Sequence, residues 1–192
     1  MPDLHTIGHG NRTLDELIAA LDSFDVDLLV DVRRYPGSRR NPHFGRDALA
    51  QEAPAHGISY RWEGEALGGR RRASPDSRHH AWKVDAFRAY ADFADEPAFV
   101  TALEELEQLA ARHRIAIMCA ETLWWRCHRR LISDHLVTRG NRVDHIFDAG
   151  VSEPHRLPPF LRLDESGRPV YDVGETPPLI DPADRKDPSR AP

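Results

Sequence analysis

Apolar side chains recur along this chain in two rhythms, and the alternation of the two predicts its architecture. Short runs rich in apolar residues at Leu4–Ile7, Val26–Val32, Ile58–Trp62, Ile115–Met118 and Arg142–Phe147 have the length and composition of strands. Val26–Val32 is nearly all apolar, as a parallel strand covered on both faces should be. Between these runs apolar positions return at spacings of three and four. Leu14, Leu17, Ile18 and Leu21 stripe a first helix, and Thr13 with Glu16 predicts a capping box at its start. Asp47 to His56 reads as a short helix closed by Gly57. Helical periodicity returns over Val84–Phe93 and Glu96–His113, then from about Trp125, where Leu131, Ile132, Leu136 and Val137 form the stripe and Gly140 the stop. Strands alternating with helices predict an α/β fold in three layers, a mainly parallel five-stranded sheet with helices on both faces.

Residues 1–150 hold this pattern and read as one α/β domain. Residues 151–175 read as a small extension with a hairpin, Leu161–Leu163 against Val170–Tyr171 around Ser166-Gly167. Residues 176–192 carry five prolines in 17 positions and predict a disordered tail. At 192 residues, 40% apolar and 30% charged, the composition is that of an ordinary globular domain. No run is long enough to span a membrane, residues 1–12 contain no apolar signal region, and two cysteines make no disulfide framework. A cytoplasmic protein with no membrane partner is expected, and a homodimer stays open.

Residues 115–132 concentrate the chemistry. A buried strand leads into Cys119, Ala120 and Glu121, and a helix then opens beside Cys127, His128 and Arg129. A strand-to-helix turn is where open α/β sheets bind ligands. Each residue also has a plain reading: either cysteine as a small core hydrophobe, Glu121 as a cap, His128 bonding a carbonyl, Arg129 snorkelling. Their coincidence favours a site. Cys127, read as helical, should point about 100° away from His128, so that only one of them faces Cys119. The spacing matches no zinc finger or ribbon, so no metal site and no cofactor is expected.

The net charge of −5 hides an uneven distribution. Arg33, Arg34, Arg39, Arg40 and Arg46 follow the second strand with no acid among them, and Arg70, Arg71 and Arg72 follow the third. Both loops should rise at the edge of the sheet that carries Cys119 and His9. Guanidinium forks fit phosphate, and Tyr35, His43, Phe44 and Trp82 lie among them as candidates to stack on bases. The Gly8-His9-Gly10-Asn11 turn suits a backbone anion nest.

Thr6-Ile7-Gly8-His9, Asp31-Val32-Arg33, Leu67-Gly68-Gly69, Phe87 to Ala91 and Cys119-x-Glu121 with Cys127-His128-Arg129 together resemble the bacterial and archaeal family called domain of unknown function 488. The likeness runs from residue 4 to about 147 and implies a compact cytoplasmic α/β domain with no assigned activity. Gly10 and Trp124 depart from its common form. Rhodanese-like domains are a weaker likeness, through Asp31-x-Arg33 and Cys119, although Glu121 would repel an anionic intermediate there.

The residues read best as an enzyme, a hydrolase or transferase, acting on a nucleotide or nucleic acid. Glu121, Cys119 and His128 are the candidate catalytic groups, and His9, Asn11, Arg33, Arg34 and Arg129 the candidate substrate-binding ones. A non-catalytic nucleic-acid-binding module and a rhodanese-like sulfurtransferase or phosphatase are the competing readings.

Overall fold

The computed structural model describes residues 3–37, 41–72 and 74–173. The expected disordered tail at 176–192, with Arg39 and Arg40, lies outside them. Strand β1 (Asp3–Gly8) is followed by helix α1 (Leu14–Asp22), strand β2 (Leu28–Asp31) and helix α2 (Arg46–Glu52). Strand β3 (Ser59–Trp62), helices α3 (Gly64–Leu67), α4 (Asp85–Ala94) and α5 (Pro97–Ala110), and strand β4 (Ile115–Cys119) come next. Helix α6 (Arg129–Thr138), strands β5 (Arg142–Asp148) and β6 (Val151–Pro154), and a hairpin of β7 (Leu161–Leu163) with β8 (Pro169–Tyr171) complete the chain.

The sheet runs β3-β2-β4-β1-β5-β6, with the first five strands parallel to their neighbours. The sixth strand pairs antiparallel to β5 and adds an edge to the expected five. Its residues are mostly exposed, so no apolar rhythm announces it.

Side-chain alternation along β4 divides the core. Ile115, Ile117 and Cys119 face a cluster built with α4, α5, α6 and the hairpin, while Ala116 and Met118 face α1 and α2. Helices therefore cover both faces. The Thr13–Glu16 capping box is present. Over 47–56 a continuous helix was expected; instead α2 gives way to a 3-10 turn, Ala53–His56. Pro54 has no N–H to continue the α-helical ladder, and Gly57 ends the segment at φ 76°.

Two close approaches fix the strand ends that matter. A Cβ on Gly8 would sit 1.9 Å from the Glu121 carbonyl oxygen, so β1 can lie against the loop after β4 only with glycine there. In the Gly68-Gly69 pair, added Cβ atoms would meet the Gly64 carbonyl at 2.1 Å and His128 Nδ1 at 3.2 Å. The second of these lets the chain lie along the His128 ring.

Candidate functional site

Adjacent strands β2 and β4 end beside one another, and a cleft of about 390 Å3 opens at their C-terminal ends. Cys119, Cys127 and His128 form part of its wall. Arg33, Arg34, Arg70 and Arg126 also line it, against one carboxylate, Glu121.

The two cysteines and the histidine converge. Cys127 is not helical: it follows a 3-10 turn, Trp124–Arg126, in extended conformation (φ −124°, ψ 151°). The expected 100° divergence from His128 therefore does not apply. Cys119 Sγ lies 3.8 Å and Cys127 Sγ 3.6 Å from His128 Nδ1. His128 Nε2–H donates to the Val32 carbonyl at 3.2 Å, which turns the Nδ1 lone pair toward both sulfurs. Burial opposes a charge on Cys127, but the Cys119 thiol, His128 and Arg129 outweigh it and hold its pKa well below the ordinary value. The Arg129 backbone N–H also reaches Cys127 Sγ, at 3.5 Å. The neighbouring Cys127 and burial push the Cys119 pKa well above the ordinary value.

Behind this wall Arg33 is held rigidly. Asp31, fully buried, accepts from Arg33 Nε at 2.8 Å, Nη2 at 2.6 Å and the backbone N at 3.0 Å, and from Tyr60 Oη at 2.7 Å. Arg33 also donates to the Phe44 carbonyl at 2.7 Å and to His9 Nε2 at 3.1 Å. Burial works against the guanidinium charge, but Asp31 more than offsets it and raises the Arg33 pKa. His9, stacked on Phe44 with ring centroids 4.3 Å apart, is kept neutral: burial and the Arg33 charge lower its pKa to about 4.

The sequence candidates thus divide. Arg33, Arg34, Glu121, Cys119 and His128 share the cleft. His9 is 3% exposed and stands behind Arg33, while Asn11 is exposed and away from the cleft. Arg129 is 1% exposed, and its guanidinium donates to Thr6 Oγ1 at 3.1 Å, to Thr122 O and to the Glu121 carbonyl oxygen, anchoring the loop after β4. Glu121 itself is exposed, with its carboxylate unpartnered among the described residues. Phe44 and Trp82 are fully buried and cannot stack on a ligand, because both pack into the core under the loops they interrupt. The arginine loops do not converge as a whole: Arg46 stacks on Trp62 at 4.2 Å and Arg71 on Phe93 at 3.5 Å, outside the cleft. Tyr35, 64% exposed, stands between Arg34 and Arg70, whose Cζ atoms lie 5.8 and 5.7 Å from its ring.

Sequence reasoning missed Asp31 as the partner of Arg33, although their i, i+2 spacing at a strand end was a usable signal. It also missed Arg126 and a buried polar chain. Thr6 Oγ1, which accepts from Arg129, donates to His145 Nδ1 at 2.7 Å; His145 Nε2 donates to His155 Nδ1 at 2.9 Å. His155 Nε2 then donates to Asp134 at 2.8 Å, and Tyr171 Oη donates to its other oxygen at 2.9 Å. These partners assign Nε2–H as the donor of each ring.

This burial has a pH consequence. Burial and the charges of His155 and Arg129 lower the His145 pKa from 6.5 to about 2, and burial lowers that of His135 from 6.5 to about 4. Below pH 6.5 the unfolded chain binds protons that the folded chain refuses, so stability present above that pH is lost as pH falls. The two histidines together should cost roughly 2–3 kcal/mol between pH 7 and pH 5.5. Thermal melts at the two pH values read this. A melting temperature that holds steady until carboxylates titrate would contradict it.

No helix among the described residues is long and apolar enough to cross a membrane. Neither a curated protein nor a solved structure matches the chain. A family model described as "Domain of unknown function DUF488" matches residues 13–136, which include both strand ends of the cleft and all three residues of the thiol–imidazole cluster. That is well over half of the 192 residues, and the chain belongs to the DUF488 family.

Proposed function

We propose that the cleft is the active site of an enzyme acting on a phosphate-bearing substrate, a nucleotide or nucleic acid. One observation carries this reading: four arginines face a single carboxylate around a cleft whose wall holds two cysteines and a histidine. Such a cleft attracts anions and concentrates them on reactive groups. Arg34, Arg70 and Arg126 meet the phosphate, and Tyr35, exposed between two guanidinium groups, offers its ring face to a base. Arg33 has a supporting role: four of its five donors are spent on Asp31, Phe44 and His9. His9 and Arg129 act as positioning residues. Glu121 is the free carboxylate of the cleft and serves as acid or base. His128 holds the sulfurs in place and does not reach out to substrate, since both its nitrogens are engaged.

The rhodanese-like alternative is disfavoured. It needs Cys119 ionised as the nucleophile, whereas Cys127 beside it and burial push the Cys119 pKa well up.

The test is turnover of a panel of nucleotides and short single-stranded oligonucleotides, followed by mass spectrometry, in the parent and in Glu121→Gln. The variant should fold and melt like the parent, because Glu121 is exposed and unpaired, keep its affinity for the anion, and lose turnover by about 100-fold. Binding without any turnover in the parent would make the protein a non-catalytic module.

A further inference from the structure

The thiol–imidazole cluster has a geometry that hydrogen bonding alone does not require. The ligand atoms of Cys119, Cys127 and His128 all lie within 4.8 Å of one another. Both sulfur–nitrogen separations, 3.8 and 3.6 Å, are close to the edge of a ligand tetrahedron. A tetrahedral ion with sulfur at about 2.3 Å and nitrogen at about 2.0 Å spaces those ligands about 3.6 Å apart. The sulfur–nitrogen edges need to change by only a few tenths of an ångström, and the two sulfurs, within 4.8 Å of one another, close toward the roughly 3.8 Å edge as both turn to the ion.

The surroundings suit an ion as well. A metal-bound imidazole commonly donates its other N–H to a carbonyl, which sets the tautomer, and His128 does this to Val32. Gly69 packs against the same ring, where a Cβ would come within 3.2 Å of Nδ1. Cys127 takes a backbone N–H from Arg129. The charge also suits an ion, since two thiolates and a neutral imidazole balance a divalent cation. The sequence argument against a metal rested on the lack of closely spaced ligand pairs, but β4 and the turn before α6 bring the three groups together in space.

We propose that Cys119, Cys127 and His128 bind one soft divalent cation, zinc by ligand type, with the fourth position open to the arginine cleft. Among the described residues no further Cys, His, Asp or Glu joins the group, so a water or a substrate oxygen completes the tetrahedron. Three protein ligands and an exchangeable fourth is the arrangement of a catalytic ion, not of a closed structural one. Binding of the ion stands apart from the phosphate reading; the claim that a substrate oxygen occupies the fourth position rests on it.

The experiment uses the full chain stripped of metal under reducing conditions and titrated with cobalt(II), whose spectrum reports thiolate ligation and tetrahedral geometry. The result expected is one cobalt per chain, with a thiolate-to-metal band in the near ultraviolet and intense visible bands, and displacement by zinc. Cys127→Ser and His128→Gln should each weaken cobalt binding by more than about tenfold, with circular dichroism confirming that each variant is folded. Should one fail to fold, the Cys119→Ser variant and the parent spectrum carry the same test. Adding inorganic phosphate should then shift the visible bands of the parent. An absent thiolate band, or binding that survives all three substitutions, overturns the site. A Cys119–Cys127 disulfide formed in place of metal binding by protein kept reduced also overturns it. A normal cobalt spectrum blind to phosphate and to azide overturns the open position; one that responds to azide and not to phosphate keeps the site and removes the phosphate.

Discussion

Asp31→Asn should destabilise the protein by about 3–5 kcal/mol, a large share of the stability of a domain this size. Asp31 is fully buried and Arg33 7% exposed, and the carboxylate takes two side-chain donors and the backbone N–H of Arg33, with the Tyr60 hydroxyl beside them. An amide at the same position keeps the volume but strands a guanidinium in the core, next to a neutral histidine that cannot balance it. The buried pair as a whole is worth far less than the cost of breaking it. Asp31→Asn combined with Arg33→Met should therefore recover much of the loss. Urea melts of the parent, both single variants and the double variant read this as a coupling energy. Strictly additive losses, or a single-variant loss under 1 kcal/mol, would mean that the pair is not the internal strut described here.

Arg129→Met should cost about 3 kcal/mol. Arg129 is buried and its guanidinium reaches Thr6 Oγ1 and the carbonyls of Glu121 and Thr122, linking β1, the loop after β4 and α6. Removing it leaves two loop carbonyls and the head of the Thr6–His145–His155–Asp134 chain without a donor, each at a cost of about 1–3 kcal/mol, partly offset because a buried cation is gone. Arg129→Lys should recover only part, since an ammonium cannot span the fork. Melts paired with phosphate affinity check the prediction. Because the loop carrying Glu121 is anchored here, affinity should fall with stability, although Arg129 does not line the cleft.

The fold was legible where side-chain periodicity is dictated by burial. Buried β4 reads as an apolar run, α1 as a stripe with a capping box, and Gly57 as a stop, because each follows from local physics. Strand β6 was not legible, since an exposed edge strand is held by backbone hydrogen bonds that leave no apolar pattern. The candidate site was half legible. Cys119, Glu121, Cys127 and His128, concentrated at one turn in the sequence, line a single cleft in the structure, together with Arg33 and Arg34 of the neighbouring loop. What sequence could not give was which arginines turn inward, because Arg46 and Arg71 find aromatic faces elsewhere that only the folded chain supplies. Nor could it give the extended backbone of Cys127, which decides that both sulfurs face one imidazole. The three glycines at Gly8, Gly68 and Gly69 read as loop residues, yet Gly8 and Gly68 are required by close approaches and a Cβ on Gly69 would crowd the His128 ring.

The measurement closest to the central claim is binding of adenosine monophosphate and a short single-stranded oligonucleotide to the parent and to an Arg34→Met, Arg70→Met double variant, at two salt concentrations. Both arginines line the cleft, and neither makes a salt bridge with a carboxylate among the described residues, so the variant should melt like the parent. The parent should bind, more weakly at higher salt; the variant should bind at least about tenfold more weakly and with a flatter salt slope. If the parent binds neither ligand, or the variant binds both as the parent does, the cleft between β2 and β4 is not a phosphate site.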